Sequence, residues 1–66
     1  ADPDRIPPVN LGQMHFHLAL ALIATGGDRA RAAAHADLAR EAFVRGGPDG
    51  ADFIGQVDAW RKQHRL

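Results

Sequence analysis

Two glycine pairs, Gly26-Gly27 and Gly46-Gly47, divide this chain of 66 residues into segments of helical length. Glycine adopts left-handed backbone angles without a steric penalty, so a glycine pair commonly ends a helix. Apolar residues within the segments recur every three or four positions, and no segment alternates as a strand would. We therefore predict an all-α fold of three antiparallel helices, over about residues 11–25, 28–45 and 49–64.

The first predicted helix is apolar on two sides. Its large apolar side chains fall into two stripes at helical spacing: Leu11, Met14, Leu18 and Leu22 on one side, Phe16, Leu20 and Ile23 on the other. A helix with two apolar sides needs cover on both of them. We expect the first stripe to be covered by another repeat, a partner chain or a second copy, with a candidate interface of Leu11, Met14, His15, Leu18 and Leu22.

The other stripe is expected to pack into a core with the second and third helices. Alanine favours helix formation and allows two helix axes to approach closely, although each methyl group buries little area. In the third helix, large apolar residues recur at intervals of four and three. The predicted core comprises Phe16, Leu20, Ile23, Ala32, Ala36, Ala39, Phe43, Phe53, Val57 and Trp60.

Capping residues set the expected helix starts. Asn10, followed three residues later by Gln13, matches a capping box, and Asp28 and Asp49 are expected to cap the second and third helices. Residues 1–9 contain three prolines, which lack a backbone donor and favour extended geometry. We expect these nine residues to form an arm or linker.

Charged side chains of the second helix fall mostly outside the alanine stripe, at Arg29, Arg31, Asp37, Arg40 and Glu41. This placement predicts a solvated face. Pairs within the helix, Glu41 with Arg45 and Asp37 with Glu41 or Arg40, would each change stability by only a few tenths of a kcal/mol, of either sign.

Composition excludes several classes of protein. Eight basic residues balance eight acidic ones, so the chain lacks the positive charge expected of a nucleic-acid or polybasic membrane binder. The chain has no cysteine for a disulfide or a thiolate metal site. Its apolar run Leu18 to Ala24 is far shorter than the ~20 residues that span a bilayer. Nucleic acid and membrane are therefore not expected partners.

The first residues are acidic, not basic and apolar, so no signal peptide is indicated and a cytoplasmic location is expected. The chain begins without methionine, and residues 1–9 read as an interdomain linker. We therefore expect a fragment or a processed piece of a longer polypeptide. Seven arginines against one lysine, with 13 alanines, indicate a GC-rich, bacterial coding sequence.

The four histidines are the only obvious reactive groups. His15 and His17 are two residues apart and therefore project to different faces of a helix, so a zinc site would need a further ligand such as His35 or Asp37 from another helix. No serine, cysteine or tyrosine is present to act as a nucleophile. We expect no catalytic, metal-binding or cofactor-binding residue.

The hairpin of the first two predicted helices resembles a tetratricopeptide repeat. That family's first helix carries Trp, Leu-Gly and Tyr at fixed spacing, and its second helix carries Ala followed by an aromatic residue. The matching positions here are His15, Leu18, Ala19, Leu22, Gly26, Ala32, Ala36 and Ala39. His15, Leu22 and Ala36 replace aromatic residues, and the turn is one residue longer than usual. The resemblance covers roughly residues 11–45, and residues 49–64 are similar to the family's closing helix.

The resemblance implies protein–protein recognition, which such arrays perform on their concave surface. The sequence therefore predicts a non-catalytic interaction or assembly module from a larger helical-repeat protein. Two alternatives stay open. One is a helix-turn-helix-like regulator that reads nucleic acid with Arg29 and Arg31, which follow the Gly26-Gly27 corner. The other is a regulatory subunit that docks onto an enzyme.

Overall fold

A computed structural model describes residues 6–66. They form three helices of 17 residues each, joined by short turns, and this range contains no strand. The helices are α1 (Pro8–Ala24), α2 (Arg29–Arg45) and α3 (Pro48–His64). The predicted all-α fold of three helices is therefore confirmed. No helix in the described range is long and apolar enough to cross a bilayer.

Helix α1 begins three residues earlier than predicted. Pro7 is its N-cap and Pro8 its first residue, so Asn10 lies inside the helix and the predicted capping box is wrong. Proline suits the first turn because its fixed φ is close to helical and its missing N–H would have no partner there. Of the predicted arm, residues 1–5 lie outside the described residues, and residues 8 and 9 belong to α1.

The predicted cap of α2 is confirmed, and that of α3 is wrong. The Oδ1 atom of Asp28 accepts hydrogen bonds from the N–H groups of Ala30 at 2.8 Å and Arg31 at 3.3 Å. Helix α3 instead starts from Gly47, whose φ of 65° suits glycine, and its first turn contains Asp49. At that position the carboxylate stabilises the helix through the dipole without capping it.

The core lies along α2, which packs against both other helices. Five predicted core residues are fully buried, namely Ala32, Ala36, Ala39, Phe43 and Val57, and Ala19 and Ala42 are buried with them. Phe16, Phe53 and Trp60 are half-buried and pack against this cluster. Leu20 and Ile23 are also half-buried, and they lie outside the cluster. The buried surface of α2 consists mainly of methyl groups, as the alanine stripe predicts.

Phe43 is the largest fully buried side chain, and two glycines lie against this residue, Gly12 against its ring and Gly50 against its main chain. A β-carbon added to Gly12 of α1 would stand 2.6 Å from two atoms of the Phe43 ring. One added to Gly50 of α3 would stand 2.1 Å from the Phe43 carbonyl oxygen. The ring of Phe53 stacks on the ring of Phe43, and their centroids are 4.9 Å apart. Glycine at positions 12 and 50 therefore sets how closely α1 and α3 approach α2.

Helices α1 and α3 make few contacts with each other. One of these contacts places the rings of Phe16 and Trp60 edge to face, 5.7 Å apart. Because α3 covers α2 and touches α1 only marginally, it leaves the side of α1 that faces away from α2 uncovered. This open arrangement determines which residues of α1 can meet another molecule.

The charged side chains of α2 are exposed, as predicted, and two of them also form ion pairs with α3. Asp37 forms an ion pair with Arg61 of α3, and Arg40 donates a hydrogen bond to Asp58 at 3.1 Å. The predicted pairing of Asp37 within its own helix is therefore wrong. Only Glu41 keeps the predicted partner, Arg45, at 3.3 Å. Two ion pairs thus bridge α2 and α3 along the rim of their interface.

Candidate functional site

The outer face of α1, defined here as Leu11, Met14, Leu18 and Leu22, includes the most exposed large apolar side chains of this helix. Met14 is 51% exposed and Leu18 is 48% exposed, one helical turn apart. Leu11 and Leu22, at either end of the face, are half-buried. Helix α1 contains no aspartate, glutamate, lysine or arginine. An uncharged helix with two large side chains in solvent has the composition of a contact surface.

A shallow depression lies on this face. Met14, His17 and Leu18 line it, and its volume is about 350 Å³. The lining is predominantly apolar, and His17 contributes an exposed ring at its edge. A depression of this chemistry fits an apolar side chain from another protein better than a charged substrate.

The predicted interface includes His15, but the ring of this residue faces α2. Its Nδ1 atom lies 3.1 Å from the Nδ1 atom of His35, and both residues are half-buried. His35 is one of the two residues that a zinc site beside His15 would need from another helix. The structure brings this residue to His15, whereas Asp37 turns to Arg61 of α3.

The His15 and His35 rings meet edge to edge. Their centroids are 5.3 Å apart, which is close to the nitrogen separation plus the radii of both rings. The two nitrogens therefore point at each other, with the ring planes only 26° from parallel. One ring donates its Nδ1–H and the other accepts with an unprotonated Nδ1, because two facing N–H groups or two facing lone pairs would repel. This hydrogen bond ties the two helices together.

No group of three or more potential ligand side chains comes together to form a metal site within residues 6–66. The other two histidines lie apart from the pair. His17 is exposed on α1, and His64 packs against the Trp60 ring with a centroid separation of 5.2 Å. The structure thus divides the four histidines into one pair and two separate rings.

The start of α2 is the surface that a helix-turn-helix reader would use. Arg29 and Arg31 are both exposed there. The Arg29 guanidinium donates a hydrogen bond to the main-chain carbonyl of His64 at the end of α3. Arg29 is therefore engaged in a contact between helices, whereas Arg31 makes no side-chain hydrogen bond or ion pair with another helix among residues 6–66.

The sequence missed some of the residues that shape this region. Gly12, Ala42 and Gly50 are buried, and Asp58 and Arg61 pair with α2. The sequence did carry a signal for positions 12 and 50. Glycine has a low helix propensity, so a glycine inside a helical pattern suggests that close packing requires it there.

Comparison with protein-family models, curated proteins and solved structures finds no match to this chain.

Proposed function

We propose that this chain is a non-catalytic protein–protein interaction or assembly module, part of a larger helical-repeat protein, that docks through the outer face of α1. The observation that carries the proposal is the exposure of Met14 and Leu18 on a helix without a charged residue. In the isolated chain, the cover we propose for this face is the same face of a second copy. The proposal is therefore tested by measuring whether the isolated chain associates with itself.

The arrangement of the helices supports this proposal. Helix α3 packs on α2 and contributes little cover to α1, so residues 6–66 leave Met14 51% exposed and Leu18 48% exposed. Burial of apolar surface stabilises a complex by roughly 25 cal/mol per Å², and two uncharged faces meet without electrostatic repulsion. The absence of charge on α1 therefore favours its pairing with a like surface.

The chain's residue types also support a non-catalytic role. It contains no serine, cysteine or tyrosine, and Thr25, its single hydroxyl side chain, donates to the carbonyl of Ala21 at a helix end. The nucleic-acid alternative is less favoured, because Arg29 is held against α3 and the net charge is zero.

Sedimentation equilibrium with circular dichroism across a dilution series tests the proposal. Association of the wild-type chain and a fall in helicity on dilution are expected, because folding is then linked to assembly. The double variant Met14→Lys/Leu18→Lys is expected to lose association. The matched control is Leu38→Lys/Val44→Lys on α2, which changes side chains that are 44% and 54% exposed.

Two results would contradict the proposal. One is a chain that is monomeric and cooperatively folded at low micromolar concentration, since the three helices would then need no further cover. The other is association that survives in Met14→Lys/Leu18→Lys and disappears in Leu38→Lys/Val44→Lys. That pattern would place the interface on α2.

A further inference from the structure

We propose that His15 and His35 form a binding site for a divalent transition-metal ion, represented by Zn²⁺, that joins α1 to α2. Their Nδ1 atoms lie 3.1 Å apart. Two imidazole nitrogens bound to one tetrahedral Zn²⁺ at about 2.0–2.1 Å are separated by roughly 3.3–3.4 Å. The two nitrogens would therefore need to separate by only about 0.3 Å to ligate one ion.

The rings must also turn before they can ligate one ion. At present the nitrogens point at each other, as their hydrogen bond requires, whereas lone pairs on a tetrahedral ion converge at an angle. The torsion that turns a histidine ring is broad, so each ring can turn about its own Cβ–Cγ bond. The donor ring transfers its proton from Nδ1 to Nε2 by exchange with water. Both rings are then neutral ligands through Nδ1.

The ligand type selects the ion. Neutral imidazole suits Zn²⁺, Cu²⁺ and Ni²⁺, whereas Mg²⁺ and Ca²⁺ prefer oxygen ligands. With two protein ligands and no third in the described residues, water completes the coordination shell. Both histidines are half-buried, so water has access to the ion from the solvent side. The site is therefore an exchangeable one, weaker than a structural site with four protein ligands.

Because the two histidines lie on different helices, an ion bound to both links α1 to α2. The histidines are 20 residues apart in sequence, so the ion closes a loop that contains the Gly26-Gly27 turn. An ion that binds the folded chain and not the unfolded chain raises the melting temperature as its concentration increases. Zn²⁺ is expected to stabilise the α1–α2 hairpin in this way, whether or not the outer face of α1 is an interface.

Thermal unfolding followed by circular dichroism tests the site. With ZnCl₂ at neutral pH in a buffer that does not chelate, the wild-type melting temperature is expected to rise by several degrees. The rise is expected to disappear in His15→Gln and in His35→Gln. It is expected to remain in His17→Gln, an exposed histidine on the same helix, and MgCl₂ is expected to have no effect.

Nitrogen NMR of the wild-type imidazole rings gives a second readout that needs no variant to fold. On titration with ZnCl₂, the Nδ1 resonances of His15 and His35 are expected to shift, while those of His17 and His64 stay in place. The proposal is overturned if Zn²⁺ leaves the wild-type melt unchanged or if the rise persists in both His15→Gln and His35→Gln. Loss of the rise in His17→Gln, or zinc-dependent shifts at His17 or His64, would also overturn it.

Discussion

Gly50 of α3 lies directly against the main chain of Phe43 in α2. A β-carbon at position 50 would stand 2.1 Å from the Phe43 carbonyl oxygen and 2.7 Å from the carbonyl carbon. Both residues are buried, and neither contact can be relieved by turning a side chain, because both atoms belong to the backbone. The distance between α2 and α3 therefore depends on the missing side chain at position 50.

Gly50→Ala is expected to lower the free energy of unfolding by about 1–3 kcal/mol, the typical cost of an added carbon in a packed core. The better helix propensity of alanine returns up to about 1 kcal/mol, which is too little to offset a clash with backbone. Urea unfolding followed by circular dichroism measures the change.

The matched control is Gly55→Ala in the same helix. A β-carbon at position 55 meets no atom within 4 Å, so only the propensity gain applies and stability should rise by about 1 kcal/mol. Equal effects of Gly50→Ala and Gly55→Ala would show that Phe43 and Gly50 are not in close contact.

The pair of Gly50 and Gly55 also shows the limit of the sequence argument. Both are helical glycines five positions apart, one buried against a neighbouring backbone and the other open to solvent. The alanine stripe could be predicted because small residues at helical spacing favour close helix packing. Which glycine of α3 contacts α2 depends on where the two helices cross. The spacing of residues along α3 does not specify that crossing point.

Asp28→Ala is expected to destabilise the fold by about 1 kcal/mol, because it removes the acceptor for the N–H groups of Ala30 and Arg31. The control is Asn10→Ala. Asn10 matches an N-cap in sequence but lies inside α1 and is exposed, so this change should leave stability within about 0.5 kcal/mol or raise it slightly. Thermal melts of the two variants are compared, and a larger loss in Asn10→Ala would contradict the observed start of α1.

The predicted helix starts at Asn10 and Asp49 are both wrong, for one physical reason. In each case a proline lies one or two residues before the predicted cap and serves as the first helical residue. Proline has no N–H to satisfy, so the helix can begin there without a side-chain cap. Asp28 has no proline beside it and is the one predicted cap that forms.

Trp60→Ala is expected to lower the free energy of unfolding by roughly 3 kcal/mol, at the lower end of values for buried tryptophan because the side chain is half-buried. The loss combines burial against the core cluster with the edge-to-face contact to Phe16, one of the few contacts between α1 and α3. Circular dichroism in urea measures it. A folded variant of unchanged stability that only loses association would make Trp60 an interface residue.

The sequence predicts which residues of α1 form an apolar stripe more readily than it predicts which side chains contact each other between helices. The stripe through Met14 and Leu18 was readable because an uncharged helix with two apolar sides exceeds what a small core can cover. The sequence offered His35 and Asp37 equally as neighbours of His15 from another helix, and it could not decide between them because both contacts cross a helix interface: His15 meets His35, and Asp37 meets Arg61. Side-chain pairs within a helix follow from spacing alone, whereas pairs between helices require the crossing geometry.

The ion pair between Arg40 and Asp58 is expected to contribute about 0.2–1 kcal/mol, because both side chains are about half exposed and water screens the charges. A double-mutant cycle with Arg40→Ala and Asp58→Ala measures this coupling apart from the loss of side-chain packing. The coupling should fall in 1 M salt, where screening is stronger. A cycle on Glu41 and Arg45, a pair within α2, gives the comparison at about 0.3–0.5 kcal/mol. If Arg40 and Asp58 show no coupling at low salt, this ion pair contributes nothing to holding α3 on α2, and the packing around Phe43 and the pair of Asp37 with Arg61 remain.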